Sequence, residues 1–149
     1  MIKENIEQLL IRDLKKLQQE IAAYKDETLL WKTVEGISNS AGNLCLHLIG
    51  NLNTFIGSTL GNTGYIRNRE LEFSSKNIPR DWMLENIEQL LITIKATFEK
   101  ISDEELKLIY PLEVLGYPMT TLYFLIHLQA HLNYHLGQIN YHRRILGKI

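Results

Sequence analysis

Four stretches of this chain repeat apolar residues at intervals of three and four, the period of an amphipathic helix. No stretch of comparable length shows the strict alternation of a half-buried strand. In the first, Ile6, Leu9, Leu10, Leu14, Leu17, Ile21 and Tyr24 recur among Lys, Glu and Gln, which predicts a helix from Ile2 to Lys25. The second begins where Ser38 or Ser40 can cap the unpaired first-turn N–H groups, and it runs to Leu60. The third, capped by Asp81 and ending near Lys100, carries Met83, Ile87, Leu90, Leu91, Ile94, Phe98 and Ile101. The fourth starts near Thr120 and continues to Leu146, with Gly147 as a stop signal. Four such helices must bury their apolar stripes against one another, so the expected fold is an all-α four-helix bundle.

The connections refine that expectation. Gly61-Asn62-Thr63-Gly64 reads as a turn, and the chain from there to Pro79 is polar and irregular apart from Phe73 and Ile78. This longest connection permits a crossover between the second and third long helices. Ser102-Asp103-Glu104-Glu105 has the form of a capping sequence, but Pro111, Gly116 and Pro118 follow. A short helix and a brief extended hairpin are expected before the fourth long helix. Gly42, Gly50 and Gly57 lie inside the second helix, where each costs up to about 1 kcal/mol relative to alanine. Their near two-turn spacing predicts close approach of another helix or a ligand. With no internal repeat or low-complexity segment, residues 1–149 read as one domain.

Charge and cysteine content narrow the function classes. Sixteen basic residues stand against seventeen acidic ones, a formal net charge of −1, so no long-range field favours nucleic acid or an anionic membrane. The single cysteine, Cys45, precludes an internal disulfide and sits in an apolar stretch, as a buried thiol does in a reducing compartment. The charged start Met1-Ile2-Lys3-Glu4-Asn5 lacks the apolar core of a signal peptide, and no apolar run approaches the ~18 residues of a membrane span. The expectation is a soluble cytoplasmic protein with neither nucleic-acid nor membrane partners.

The histidines are distributed unevenly. His127, His131, His135 and His142 follow one another at intervals of four, four and seven, so on a helix they share a face less than about 90° wide, together with Gln138. An i, i+4 pair of imidazoles can place two nitrogens on one ion, and zinc, nickel, iron and copper all accept imidazole. A third ligand must come from another helix, and the remaining histidine is His47, in Leu44-Cys45-Leu46-His47-Leu48 of the second helix. Spacing alone leaves His127/His131 and His131/His135 as equivalent pairs. It also leaves open a set of core histidines satisfied by Asn51, Tyr134 or Gln138.

These residues resemble the DinB-like (YfiT-type) superfamily of metal-binding four-helix bundles, which is unrelated to the polymerase that shares part of the name. That superfamily carries a histidine in helix two and, late in helix four, His, three residues, His, one residue, then Gly-Gln. Here the late motif is His131-Leu132-Asn133-Tyr134-His135-Leu136-Gly137-Gln138, and the helix-two residue is His47 in Leu46-His47-Leu48-Ile49-Gly50-Asn51-Leu52. The resemblance selects His131/His135 over His127/His131 and implies a metal site of His47, His131 and His135. The helix order and the ending Arg143-Arg144-Ile145-Leu146-Gly147 extend it over nearly the whole chain, and Arg67-Asn68-Arg69-Glu70-Leu71-Glu72-Phe73 resembles a loop of one uncharacterised branch. Two departures concern substrate specificity: Tyr134 stands where many relatives have another histidine or a polar residue, and His127 is an additional histidine one turn earlier.

Three neutral histidines leave coordination positions open, as catalytic sites do. Relatives include S-transferases that use low-molecular-weight thiols such as bacillithiol or mycothiol, and metal-dependent hydrolases. The resemblance therefore implies a zinc- or nickel-dependent S-transferase or hydrolase acting on a small molecule, with a thiol cosubstrate in the first case, and often a homodimer. The alternative is a metal- or small-molecule-binding bundle, associated with stress, that performs no turnover. No carboxylate lies in the histidine segments; tertiary structure can supply Glu70, Glu72 or Glu113, each more readily a solvated residue. Arg67 and Arg69 offer planar forks for a substrate carboxylate, or local salt bridges within the loop. Tyr134, Tyr141 and Asn51 are candidates to support the ligands.

Overall fold

A computed structural model describes residues 1–148 and contains four long helices. Helix α1 spans Ile2–Ala22, buries Ile6, Leu10, Leu14, Leu17 and Ile21, and ends a few residues before the sequence pattern does. Buried Tyr24 follows, then a 3₁₀ turn at Glu27–Trp31 capped by Asp26, whose carboxylate accepts from Thr28 N–H at 2.9 Å. Of the two candidate serines, Ser40 caps α2 (Ala41–Leu52), accepting from Asn43 N–H at 3.2 Å. Every residue of α2 is buried, as expected for a helix that is apolar around most of its circumference.

The second helix does not reach Leu60 as a regular α-helix. It widens into a π turn at Asn53–Ser58, with Thr59 N–H donating to Thr54 C=O at 3.0 Å. The wide turn accompanies a close approach to the third long helix, where a Cβ on Gly57 would meet the Thr93 methyl group at 3.1 Å. The following connection contains a helix that the sequence pattern misses, α3 (Arg69–Ser74), capped by Asn68. Six residues are too few to display an apolar period.

Helix α4 spans Arg80–Lys100 and buries the predicted Met83, Ile87, Leu90, Leu91, Ile94 and Phe98. Its cap position is Pro79, so Asp81 sits in the first turn rather than capping it. The short α5 (Asp103–Lys107) has a full capping box between Ser102 and Glu105. The expected hairpin is reduced to one antiparallel bridge between Ile109 and Thr120. Helix α6 (Thr121–Leu146) is capped by Thr120 and followed by Gly147, as the sequence predicts.

The packing pairs define the topology. Both α1 and α2 pack on α4 and α6. Gln18 meets Glu88 and Lys3 reaches the Ile101 carbonyl, so α1 and α4 are antiparallel. Glu20 binds Asn140 and Arg143 while Asp13 binds Gln129 and Asn133, so α1 and α6 are parallel. Phe55 faces Phe124 while His47 faces His131 and His135, so α2 and α6 are antiparallel. The order is up, down, down, up, and the α2–α4 connection is the predicted crossover. No helix among the described residues is long and apolar enough to cross a membrane.

Two buried polar clusters tie α6 to the rest. The fully buried Asp13 carboxylate accepts from Gln129 at 2.7 Å, Asn133 at 3.0 Å and Arg12 at 2.7 Å. Burial pushes its pKa up, but these donors outweigh burial and hold it below the ordinary aspartate range. His142, also buried, lies 2.7 Å from both the Lys32 carbonyl and the Tyr24 hydroxyl. A carbonyl can only accept, so His142 carries its proton on Nε2, and Nδ1 accepts from Tyr24. His142 is thus a clamp between α6 and the first connection.

Candidate metal centre

The crossing of α2 and α6 brings His47, His131 and His135 together, with one nitrogen from each lying within 4.8 Å of the others. The Nε2 of His131 is 3.2 Å from Nε2 of His47 and 3.1 Å from Nε2 of His135. Tetrahedral coordination at zinc–nitrogen bonds of about 2.05 Å sets neighbouring donor nitrogens ~3.3 Å apart, so this spacing fits a divalent ion. No carboxylate or cysteine joins the group among the described residues.

The opposite edges of two rings explain how the nitrogens are aimed. His47 Nδ1 lies 3.1 Å from Glu72 Oε1, and His135 Nδ1 lies 2.7 Å from Gln138 Oε1. Each oxygen accepts the Nδ1 proton, which leaves Nε2 of both rings with a lone pair directed at the centre. His131 Nδ1 is buried without a partner, so a single proton on its Nε2 could satisfy one neighbour and not both. Three converging acceptors with at most one shared proton suit a cation between them.

Burial pushes the His131 pKa down to about 4, assisted by the nearby His135, His47, His127 and Arg67. Burial also lowers the pKa of His135, with the Gln138 contact opposing it. Both imidazoles are therefore neutral near pH 7, the form that binds a metal.

Glu72 is the site residue that sequence reasoning ranked as a solvated side chain. It lies on α3, is 6 % exposed, and receives both Nε and Nη2 of Arg67 at 2.8 Å. Burial raises its pKa, but the hydrogen bonds from His47 and Arg67 prevail and keep it below the usual glutamate range. Gly50, one turn beyond His47, provides the space, because a Cβ there would overlap the Glu72 carboxylate. The close approach predicted from the glycines is therefore a carboxylate at Gly50, while at Gly42 it is the Trp31 ring.

The other candidates separate. Arg67 is committed to Glu72, so its fork is not free for a substrate carboxylate, and Arg69 lies over the Phe73 ring at 5.1 Å. His127 stacks between Phe124 and His131, outside the converging group. Asn51 is buried with its side-chain oxygen unpartnered, while Tyr134 and Tyr141 are exposed on a groove of about 710 Å³ that also touches His135 and Gln138. Glu70 and Glu113 are exposed.

A family model described as a protein of unknown function, DUF1572, matches residues 2–148. The chain belongs to the DUF1572 family. No curated protein matches it. The DUF1572 chain superposes on the crystal structure of a DinB-like protein from Bacillus cereus ATCC 10987 with a TM-score of 0.75, covering 97 % of this chain and 92 % of the other at 19 % identity. The fold is that of a DinB-like bundle, and the three-histidine group fits a metal-binding protein.

Proposed function

We propose that this protein is a divalent-metal-dependent enzyme acting on a small molecule, with zinc or nickel held by His47, His131 and His135. The observation that carries this reading is the convergence of three Nε2 atoms, two of them aimed by oxygen acceptors on the far edges of their rings. A divalent ion with open coordination positions supplies Lewis acidity that favours a deprotonated nucleophile near neutral pH. Glu72 holds the His47 ring and its tautomer, Arg67 holds Glu72, and Gln138 does the same for His135.

Among the reactions open to such a site, transfer of a low-molecular-weight thiol to an electrophile is best supported. Glu72 is occupied by Arg67 and His47, and no other carboxylate among the described residues joins the triad, so a hydrolytic water lacks an evident carboxylate base there. Thiol transfer makes a smaller demand: the proton leaves sulfur for solvent, sulfur bonds to the electrophilic carbon, and the leaving group departs with its electron pair. Hydrolysis is the second reading, favoured by the same open positions. A cytoplasmic location suits thiol transfer, since thiols are kept reduced there.

The test is a screen of protein reconstituted with zinc or nickel, pairing a fluorogenic alkyl halide with a panel of small thiols beside ester and amide substrates. Thiol-dependent turnover that a chelator abolishes and added metal restores is the expected result. Full metal occupancy with no turnover in either panel contradicts the enzyme reading and leaves a non-catalytic metal-containing bundle.

A further inference from the structure

The groove beside the triad has a composition that specifies its occupant. Its floor is α6, carrying His135, Gln138 and Tyr141, and its far wall is the connection that includes Ile37 and Asn39. Among the described residues that line it, none is Lys, Arg, Asp or Glu. Tyr134 and Tyr141, each 65 % exposed, line it, and Arg144, just beyond, lies over the Tyr141 ring at 5.5 Å.

Gly137 is the second observation. It lies within a 26-residue helix without the positive φ that favours glycine elsewhere in the chain, so it bears the ~1 kcal/mol penalty of a helical glycine relative to alanine. Unlike Gly42 and Gly50, it gains no close packing in exchange, since a Cβ at Gly137 would meet nothing within 4 Å. The absent side chain leaves open space in the groove floor, two residues from His135.

We propose that this groove binds an uncharged, planar organic group, the electrophilic substrate, and presents its reacting end to the His135 edge of the triad. The inference rests on the metal-dependent reading above and specifies its substrate class. A thiol cosubstrate bearing carboxylates or an ammonium group finds no charged partner among the described side chains that line the groove, so the groove is assigned to the electrophile. The two tyrosines of the floor supply stacking surface, while Gln138 and Asn39 supply the few polar contacts that orient a ligand.

N-phenyl-1-naphthylamine and its 8-sulfonate share one aromatic skeleton, a planar naphthalene ring bearing an anilino group, and differ by a sulfonate that carries a single negative charge, which makes them suitable probes. The full chain, reconstituted with zinc, is titrated with each by fluorescence, in parallel with Gly137→Leu and Gly137→Gln. The second variant adds bulk without apolar surface, and both are good helix formers at a position with free space. The expected result is saturable one-site binding of the neutral probe, at least ten-fold weaker binding of the sulfonate, and at least ten-fold loss of the neutral probe in both variants with zinc content unchanged. Equal or tighter binding of the sulfonate overturns the proposal, as does unchanged binding of the neutral probe in the two variants, or no binding by zinc-loaded wild type. Gly137-dependent binding by a protein that takes up no metal supports the groove's selectivity and defeats the metal reading, so the two failures are distinguishable.

Discussion

Gly50→Ala sets two effects against each other on one carbon. In a free helix the change gains about 1 kcal/mol. Here the new Cβ would lie 2.7 Å from Glu72 Cδ and overlap the carboxylate, which can retreat only by releasing the Arg67 fork at 2.8 Å and His47 Nδ1 at 3.1 Å. Removing one partner of a buried ion pair costs roughly 3–5 kcal/mol, and the lower end applies because the Arg67 side chain is 14 % exposed and can regain water. The net expectation is a loss of about 2 kcal/mol, which for a chain of this size lowers Tm by roughly 4–8 °C. The same retreat strips His47 of its acceptor, so zinc affinity should fall about 10–100-fold. Differential scanning calorimetry measures the first effect, and competition with a chromophoric chelator measures the second. A Gly50→Ala protein that melts above wild type and holds zinc equally would show that Glu72 is not fixed against Gly50, refuting the account of how His47 is oriented.

Other perturbations separate the site from the scaffold. Asp13→Ala leaves Gln129 and Asn133 without their acceptor and should cost about 2 kcal/mol in urea denaturation, with metal content unaltered. Tyr24→Phe removes the donor to buried His142 Nδ1 and should cost ~1–3 kcal/mol, again without affecting metal. Metal-free protein should lose stability as pH falls from 6.5 towards 4. His131 has its folded pKa depressed to about 4 from 6.5, so across that window the unfolded chain binds the extra proton, and stability rises with pH. Urea midpoints measured between pH 6.5 and about 5.5, above the carboxylate range, should show this slope, and His131→Asn should reduce it, His135 supplying the remainder.

The bundle is legible in the sequence because α1, α4 and α6 each carry an apolar period for about five turns or more, α2 is apolar around most of its circumference, and Ser40, Thr120 and the Ser102–Glu105 box mark boundaries through local hydrogen bonds. The π turn at Asn53–Ser58 is not legible, since it accompanies the approach of Gly57 to Thr93 and of Gly61 to Thr97 on α4, a tertiary contact. Spacing on one helix left two histidine pairs equivalent. What separates them in the structure is the antiparallel crossing of α2, which places His47 against His131 and His135 while Phe55 meets Phe124 one end away. Glu72 lies 25 residues from His47 on a helix too short to show a period, and only Gly50, an unexplained glycine one turn past His47, hinted at a group pressing there. His142 shares the ligand face by spacing, yet lies two turns past His135 and reaches Tyr24 instead.

The central claim is that three histidines, and not a fourth nearby, hold a metal. Untagged protein analysed by elemental mass spectrometry, beside His47→Ala, His131→Ala, His135→Ala and His127→Ala variants, tests it directly. The account predicts near-stoichiometric divalent metal in wild type and His127→Ala, and its loss from the other three. Absence of metal from wild type after reconstitution with zinc, nickel, manganese and iron would contradict it, as would a His47→Ala protein that retains a full complement.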